Sequence, residues 1–347
     1  MTSFLLIVMF NVKQSTADNI LDRKSVVYKR LERPVLQELQ IKYDLRFFND
    51  PNPLSNREFV SFLQEADGII GLELEVNKTL LDHAPNLKVV SNVSVGYNNL
   101  DIEELTKRNI MATNTPGVLT DTVADMAMGL MLSVARRIPE LDQFVKSRQW
   151  TQSLTEEQYG TDVHHKVLGI IGMGRIGQAI AQRARFGFDM EILYHSRTPK
   201  PEAEAKYDAT YCTLDELLQQ SDFVCLITPL TKETEGMIGK REFQLMKPSA
   251  IFINASRGKT VVESDLIAAL KEGQIKAAGL DVFTKEPIEP DNELLDLPNV
   301  VTLPHIGSST YETELAMSRL AAENLEAALN GQRPKNLINP SVWETAK

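Results

Sequence analysis

The chain has 347 residues, of which 43% are hydrophobic and 24% charged, a balance typical of a water-soluble protein with two domains. A net charge of −10 without any basic stripe argues against nucleic acid as a partner. The apolar run at residues 4–10 is too short to cross a bilayer and lacks the basic start and cleavage site of a signal peptide. We therefore expect no membrane association, interpret residues 1–23 as an N-terminal extension, and predict a cytoplasmic protein.

Cysteine and histidine usage gives no sign of a metal or disulfide framework. Cys212 and Cys225 are too far apart for a CxxC pair and lie in or near apolar segments, which favours two free thiols in a reducing compartment. The five histidines are His83, His164, His165, His195 and His305. None of their spacings is that of a metal site, so no metal is predicted.

The first third of the chain alternates short apolar segments with helical ones. Strands are predicted at 26–28, 45–48, 68–72, 88–91 and 111–113, and helices at 34–41, 57–64, 77–83 and 102–108. Such alternation predicts a parallel sheet with helices on both faces. This part of the chain is interpreted as a first α/β domain.

A long helical segment follows the Thr115-Pro116-Gly117 turn. Its apolar residues recur at helical spacing from Val123 to Ala135, and the segment is predicted to extend from about Asp121 to Gln149. A helix of this length could pass between domains or form a dimer contact, and a plain core helix is the alternative interpretation.

The stretch from Val167 to Arg185 carries the strongest motif in the sequence. A run of aliphatic residues, typical of a buried strand, leads into a GxGxxG turn and then into a helical segment. The first glycine permits the tight turn, the second lets the backbone approach a pyrophosphate, and the third lets the helix pack closely on the strand. This context predicts a dinucleotide site. Its predicted contacts are Gly172, Gly174, Arg175, Ile176 and Gly177.

The rest of the chain continues the alternation. Strands are predicted at 191–194, 223–226, 250–254, 277–281 and 300–303, and helices at 214–220, 239–246, 263–272 and 311–329. The strands and helices behind the glycine motif predict a second α/β domain of Rossmann type.

The end of the second Rossmann strand indicates which dinucleotide is preferred. NAD-preferring sites place an Asp or Glu there, but this position holds His195, followed by Ser196, Arg197 and Thr198. A guanidinium can form charge-assisted hydrogen bonds with a 2′-phosphate, so NADP(H) is predicted to be preferred and NAD(H) remains possible. The alternative interpretation is a surface loop that happens to be basic.

Three ionisable residues each follow a predicted strand. Arg257, Glu286 and His305 come shortly after the strands at 250–254, 277–281 and 300–303. Ligands of open α/β sheets bind at the carboxyl ends of strands, so these side chains are predicted to converge there.

These motifs together resemble the D-isomer-specific 2-hydroxyacid dehydrogenase family. The resemblance covers residues 24 to about 340 and rests on the glycine motif, NASRG, GLDVFTKEP and PHIGS, with SVGYNNLD and TNTPGVLTDTVAD upstream. Within the family the chain looks most similar to the reductases of 2-ketogluconate that also reduce glyoxylate and hydroxypyruvate.

The resemblance implies an α/β fold of two Rossmann-like domains, a flavodoxin-like substrate domain and a dinucleotide-binding domain, with the cleft between them. It places the substrate domain at residues 24–116 and 305–347 and the NADP-binding domain at 117–304. A homodimer is the oligomeric state that it implies.

The resemblance also implies a role for each site residue. Arg257 would bind the substrate carboxylate, His305 would be the proton donor, and Glu286 would orient His305. The backbone of Val95 and Gly96 would bind the substrate carboxylate as well. Further cofactor contacts implied by the family motifs are Thr228, Pro229, Ala255 and Asp281.

The sequence thus predicts an NADPH-dependent reductase of small 2-keto acids, namely 2-ketoaldonates, glyoxylate or hydroxypyruvate. The alternatives are an NAD-linked D-2-hydroxyacid dehydrogenase such as a phosphoglycerate dehydrogenase, and a dinucleotide-sensing binding protein built on the same fold. Cofactor preference separates the first two, and turnover separates both from the third.

Overall fold

In the computed structural model, residues 23–345 are described, so the predicted extension at 1–23 lies, except for Arg23, outside the described residues. Contacts divide the chain into two compact units. The first runs to Thr115 and resumes at Ser318, and the second is Pro116–Met317. Each unit contains one parallel sheet, which confirms the predicted pair of Rossmann-like domains.

The first unit holds a five-stranded sheet in the order β2-β1-β3-β4-β5. Its strands are β1 (Lys24–Tyr28), β2 (Asp44–Phe48), β3 (Gly68–Gly71), β4 (Val89–Asn92) and β5 (Met111–Thr113). Its helices between strands are α1 (Arg33–Gln40), α2 (Arg57–Leu63), α3 (Lys78–Leu81) and α4 (Ile102–Lys107). Asn56, Asn77 and Asp101 cap three of these helices by accepting hydrogen bonds from backbone N–H groups, which explains where the helices begin.

The second unit holds a seven-stranded parallel sheet in the order β12-β11-β10-β9-β6-β7-β8. Its strands are β6 (Val167–Ile171), β7 (Glu191–His195), β8 (Ala209–Tyr211), β9 (Phe223–Leu226), β10 (Ile251–Asn254), β11 (Ala277–Leu280) and β12 (Val300–Thr302). Its helices are α5 (Thr120–Ala135), α6 (Ile138–Lys146), α7 (Arg175–Phe188), α8 (Pro201–Tyr207), α9 (Leu214–Gln220), α10 (Lys240–Leu245) and α11 (Glu263–Lys271). Two further helices, α12 (Tyr311–Leu329) and α13 (Ser341–Thr345), lead back into the first unit and end the described chain.

The core of the second unit covers both faces of its sheet. Alternate residues of one strand point to opposite faces, and Leu168 and Ile170 accordingly belong to one apolar cluster while Ile171 belongs to another. Burial on both faces explains why these strands read as continuous apolar runs in the sequence. The strand order reverses between β6 and β9, where Ile171 pairs with Leu226, and such a reversal is the usual place for a ligand in this fold.

The long helix predicted from Asp121 to Gln149 is wrong, because the structure breaks it into α5 and α6. Arg137 between them has a left-handed φ of 55°, and Pro139 lies in the first turn of α6. A proline has no N–H to donate and its ring crowds the carbonyl four residues earlier, so a helix cannot continue through it. The carbonyl of Ala135 instead accepts a hydrogen bond from Thr161 N at 2.7 Å.

The two pieces differ in burial. One side of α5 lies in the core of the second unit, which matches the core-helix interpretation, whereas α6 has no buried residue. The sequence pattern did not predict α8 and β8, a short helix and an edge strand that extend the sheet beyond β7. Within residues 23–345, no helix has both the length and the apolar character needed to cross a membrane.

Candidate active site

The glycine motif forms the turn between β6 and α7. Gly172 has a φ of +110°, and a Cβ atom there would lie 2.7 Å from the carbonyl oxygen of Ile227, so a side chain is excluded on both counts. A Cβ atom at Gly177 would overlap the carbonyl of Gly172, while Gly174 faces open space. Gly172 and Gly177 thus have the turn and close-packing roles that the motif predicts, and the role of Gly174 beside a pyrophosphate stays a prediction.

The first turn of α7 has the properties of an anion site. Gly174 is the N-cap residue and offers no side chain to the free N–H groups, and Arg175 and Ile176 are the first two residues of this 14-residue helix. Unpaired N–H groups and the positive end of the helix dipole favour a phosphate at this place. The open space at Gly174 would let a pyrophosphate approach the backbone, so the residues present fit a dinucleotide.

The loop after β7 is fixed by its own hydrogen bonds and exposes a cation. His195 Nδ1 lies 3.0 Å from the carbonyl of Cys212, and Ser196 Oγ donates to the carbonyl of Thr198 at 2.7 Å. Arg197 is exposed. Lys200 is a second cation in this loop that was not predicted, and its Nζ donates to Thr198 Oγ1 at 3.1 Å. The close spacing of Arg197 and Lys200 in the sequence could have identified Lys200 as part of the same basic loop.

Arg197 also acts on the loop that follows β9. The pKa of Glu233 is lowered, first by the hydrogen bond from Thr231 Oγ1 and to a lesser degree by the charge of Arg197. Thr228 and Pro229, two predicted cofactor contacts, lie near the start of the same loop, two and three residues after the strand ends.

Strand order brings the three candidate catalytic residues to one edge of the second sheet. β10, β11 and β12 are neighbours, and Arg257, Glu286 and His305 follow their respective carboxyl ends. His305 Nδ1 and Glu286 Oε2 are 2.6 Å apart. An ionised carboxylate can only accept hydrogen bonds, so Nδ1 is the donor and Nε2 is left to exchange a proton with a ligand.

Glu286 is held on its second oxygen as well. Its Oε1 accepts a hydrogen bond from Phe283 N at 3.0 Å. Burial raises the pKa of Glu286, but the hydrogen bonds from His305 and Phe283 and the nearby positive charges lower it overall. The pKa of His305 is raised above 6.5, chiefly by its hydrogen bond to Glu286. The pair therefore favours an imidazolium beside a carboxylate.

Arg257 lies on a loop that is fixed by buried polar groups. Its carbonyl accepts hydrogen bonds from Thr260 Oγ1 at 2.6 Å and from Asn254 Nδ2 at 3.4 Å, and its Nη1 donates to the carbonyl of Ser256 at 2.7 Å. Burial lowers the pKa of Arg257, although a guanidinium keeps its charge in proteins. The guanidinium is thus a fixed cation a few residues from the end of β10.

Gly258 lets two of the catalytic loops approach each other closely. A Cβ atom at this position would overlap the backbone of Phe283, the residue whose N–H binds Glu286. Only glycine fits there, so the segment that carries Arg257 packs directly against the segment that leads to Glu286. This role of Gly258 could not be predicted, because a glycine after an arginine does not reveal which backbone segment it will contact.

Asp281 binds the loop that carries His305. Its Oδ1 accepts from Ile306 N at 2.8 Å and its Oδ2 accepts from Gly307 N at 3.0 Å, and the side chain is buried. The predicted contact of Asp281 with a nicotinamide carboxamide stays a prediction. His305 itself has a left-handed φ of 53°, which is uncommon for a residue other than glycine.

The remaining predicted residues lie in loops that follow strands. Ala255 is buried directly after β10, and Thr228 Oγ1 lies 3.8 Å from Met237 Sδ. Val95 and Gly96 lie in the first unit, in the loop after β4, where their carbonyls accept hydrogen bonds from Asn114 and Asn92, respectively. Among residues 23–345, no group of three or more His, Cys, Asp or Glu side chains could hold a metal ion.

Comparison with known proteins gives consistent matches. The sequence profile described as "D-isomer specific 2-hydroxyacid dehydrogenase, NAD binding domain" matches residues 128–307. A protein of Shigella boydii serotype 4 named glyoxylate/hydroxypyruvate reductase B is 51% identical over 91% of this chain and 98% of its own length.

Solved structures agree. A crystal structure of a Thermus thermophilus protein matches with a TM-score of 0.84 at 37% identity, covering 91% of this chain and 99% of that one. The NADPH-dependent glyoxylate/hydroxypyruvate reductase of Sinorhizobium meliloti, crystallised with NADP and malonate, matches with a TM-score of 0.83 at 32% identity, covering 91% and 97%.

Proposed function

Because the chain belongs to the D-isomer specific 2-hydroxyacid dehydrogenase family, whose members are oxidoreductases acting on CH–OH groups with a nicotinamide dinucleotide, we propose that it reduces 2-keto acids to D-2-hydroxy acids. Glyoxylate, hydroxypyruvate and 2-ketoaldonates such as 2-ketogluconate are the proposed substrates, and NADPH is the proposed donor. The observation that carries the proposal is the His305–Glu286 pair at the sheet edge that also holds Arg257.

The chain's own residues can supply each group that the reduction needs. The guanidinium of Arg257 would pair with the substrate carboxylate through two parallel hydrogen bonds and polarise the adjacent carbonyl. His305 would give its Nε2 proton to the oxygen that becomes the hydroxyl, while Glu286 holds the ring and stabilises the imidazolium. When bound, a nicotinamide dinucleotide would supply a hydride for C2, which with the proton from His305 would convert the keto group into an alcohol.

Initial rates test the proposal. We expect turnover of NADPH with glyoxylate, hydroxypyruvate and 2-ketogluconate, each measured beside an NADH control. Higher kcat/KM with NADH would favour the NAD-linked dehydrogenase instead. Tight dinucleotide binding without turnover of any 2-keto acid would contradict the proposed reductase activity and favour the alternative of a dinucleotide-sensing binding protein.

Cofactor preference is proposed to depend on Arg197, the exposed cation after β7. A charge-assisted hydrogen bond contributes about 1.5–3 kcal/mol, so Arg197→Asp is expected to lower kcat/KM for NADPH by roughly 10- to 100-fold relative to NADH. The ratio of kcat/KM for the two dinucleotides is the measurement. Lys240→Asp changes charge equally at an exposed position on α10 and is the matched control. An unchanged ratio in the Arg197 variant would remove the basis for NADPH preference.

A homodimer is proposed from an exposed apolar surface in the second unit. The residues of this surface are Ile138, Val145, Trp150, Leu154 and Tyr159, each between 44% and 62% exposed in the single chain. The helix that carries the first two has no fully buried residue, and Ile138 and Val145 leave about half of their surface exposed to solvent in the single chain. Large apolar side chains exposed within one short segment of the chain favour a protein interface, and a second copy of this chain is the proposed occupant.

Light scattering after size-exclusion chromatography measures the oligomeric state directly. We expect twice the chain mass of 38.9 kDa for the unaltered protein. Trp150→Glu should shift the mass toward one chain at micromolar concentration, because a charge buried in an interface without a partner is costly. A monomeric unaltered protein would contradict the proposal.

A further inference from the structure

We propose that Asp281 is a positioning residue that fixes the backbone of the loop carrying His305, and through it the direction of the imidazole toward Glu286 and the substrate. The inference rests on the proposed function, since it assigns a task within the same site. It assigns to Asp281 a role toward the protein's own backbone, separate from any contact with the nicotinamide ring.

The first observation is the pair of hydrogen bonds made by the carboxylate. Each of its oxygens accepts one backbone N–H, from Ile306 at 2.8 Å and from Gly307 at 3.0 Å, and these are the two residues directly after His305. The side chain is only 2% exposed, so water cannot replace these bonds if they are lost. A buried carboxylate bound on both oxygens has a single orientation.

The carboxylate is itself attached to a rigid element. Asp281 follows β11 directly, and its own N–H donates to the carbonyl of Asn254, the last residue of β10, at 3.0 Å. Through its carboxylate, Asp281 therefore connects the end of the sheet to the loop that carries His305. A site supported by a strand end is held more precisely than one supported by a free loop.

The backbone at His305 needs such support. Its φ of 53° lies in the left-handed region, which persists in residues other than glycine only where the surrounding structure holds it. A Cβ atom at Gly307 would lie 3.2 Å from Asp281 Oδ2, so a glycine at this position lets the carboxylate reach both N–H groups. The two hydrogen bonds of Asp281 and the left-handed conformation of His305 therefore occur together in the same loop.

Three charged groups face the imidazole. Glu286 and Asp281 contribute negative charge and Arg257 contributes positive charge, and each affects the pKa of His305 in that sense. Asp281→Asn removes one negative charge and also places an amide NH₂ against a backbone N–H. The variant is therefore expected to misalign the His305–Glu286 hydrogen bond and to lower the pKa of His305.

The test compares Asp281→Asn with the unaltered enzyme by three measurements. We expect kcat for 2-keto acid reduction to fall about 10- to 100-fold, as for a small misplacement of a catalytic group. The basic limb of the pH profile should move to lower pH. The Kd of NADPH, measured by fluorescence titration, should stay within about twofold of the unaltered value, since the role proposed here for Asp281 is toward the loop and not toward the dinucleotide.

An NMR titration of the His305 imidazole in the dinucleotide-free protein gives a readout that needs no activity. The His305 signal is assigned by its absence in His305→Gln, and its pKa should be lower in Asp281→Asn than in the unaltered protein. If the unaltered protein reduces no 2-keto acid, the proposed function fails, whereas this titration still decides the role of Asp281.

Asp222→Asn is the matched control. Its carboxylate also accepts a backbone N–H, from Val167 at 3.0 Å, but it precedes β9 at the opposite end of the strands. The Asp222→Asn variant should therefore change the stability of the protein without changing kcat or the pH profile. Gly307→Ala is the second variant if Asp281→Asn does not fold, because its methyl group would push against Asp281 Oδ2 and should move the same readouts in the same direction.

Two results would overturn the inference. One is an Asp281→Asn enzyme with an unchanged kcat, pH profile and His305 titration. The other is a large rise in the Kd of NADPH with an unchanged kcat at saturation, which would make Asp281 a dinucleotide contact alone.

Discussion

Replacing His305 by glutamine is expected to lower kcat for 2-keto acid reduction by about 10²- to 10⁴-fold, the usual contribution of a general acid. Glutamine keeps a hydrogen-bonding side chain of similar size but cannot deliver a proton to the forming hydroxyl. The Kd of NADPH should change little, because His305 is proposed to act on the substrate oxygen. The variant therefore separates proton transfer from dinucleotide binding.

The raised pKa of His305 determines how the rate of reduction should change with pH. The pKa of His305 is raised above 6.5 chiefly by its hydrogen bond to Glu286, so the protonated form needed for reduction persists above the ordinary range of histidine. Reduction by the unaltered enzyme should hold below that raised pKa and decline as pH rises through it. In His305→Gln, the remaining slow rate should lack this limb.

Steady-state kinetics between pH 5 and 10 supply the measurement. His164→Gln is the matched control, since His164 is an exposed histidine in the same unit, before β6, and should leave kcat and the pH profile unchanged. If His305→Gln kept more than a tenth of the original kcat together with the original basic limb, another residue would have to be the proton donor.

The second large effect is expected at Arg257. Two charge-assisted hydrogen bonds to a carboxylate contribute about 1.5–3 kcal/mol each, so Arg257→Gln should lower kcat/KM for glyoxylate by roughly 10²- to 10⁴-fold. Part of the loss should appear in kcat, because the guanidinium is also proposed to polarise the reacting carbonyl. Arg257→Lys keeps the charge without the planar fork and should recover only part of the loss.

The matched control for this variant is Arg241→Gln. Arg241 is an exposed arginine of the same unit, paired with Asp215 through its guanidinium, and an exposed pair of this kind contributes little to stability. Substrate kinetics should therefore be unchanged in the control. An Arg257→Gln enzyme with an unaltered KM and kcat for glyoxylate would show that the substrate carboxylate is bound elsewhere.

The local features of both sheets could be predicted from the sequence. Buried parallel strands require apolar runs such as Val167–Ile171, and helix starts such as the one at Asn56 are set by a side chain acting on its own neighbours. The glycine motif was readable for the same reason, since its turn is formed within six consecutive residues. These features depend on interactions between residues that are close in the chain.

The convergence of Arg257, Glu286 and His305 was also predictable, because the carboxyl ends of parallel strands share one edge of a sheet. What this reasoning cannot supply is the order of the strands, which places β10, β11 and β12 side by side. That order brings the loops of Glu286 and His305 together, and their side chains then lie 2.6 Å apart.

The alternation of strands and helices, the dinucleotide turn and the ionisable residues that follow the strands could be predicted from patterns of neighbouring residues. The hydrogen bonds of Asp281 to the N–H groups of Ile306 and Gly307, and the packing of Gly258 on the backbone of Phe283, are visible only in the folded chain. Sequence separation explains the difference. These contacts join segments about 25 residues apart, whose approach is fixed by strand pairing and close packing and leaves no local pattern in the sequence.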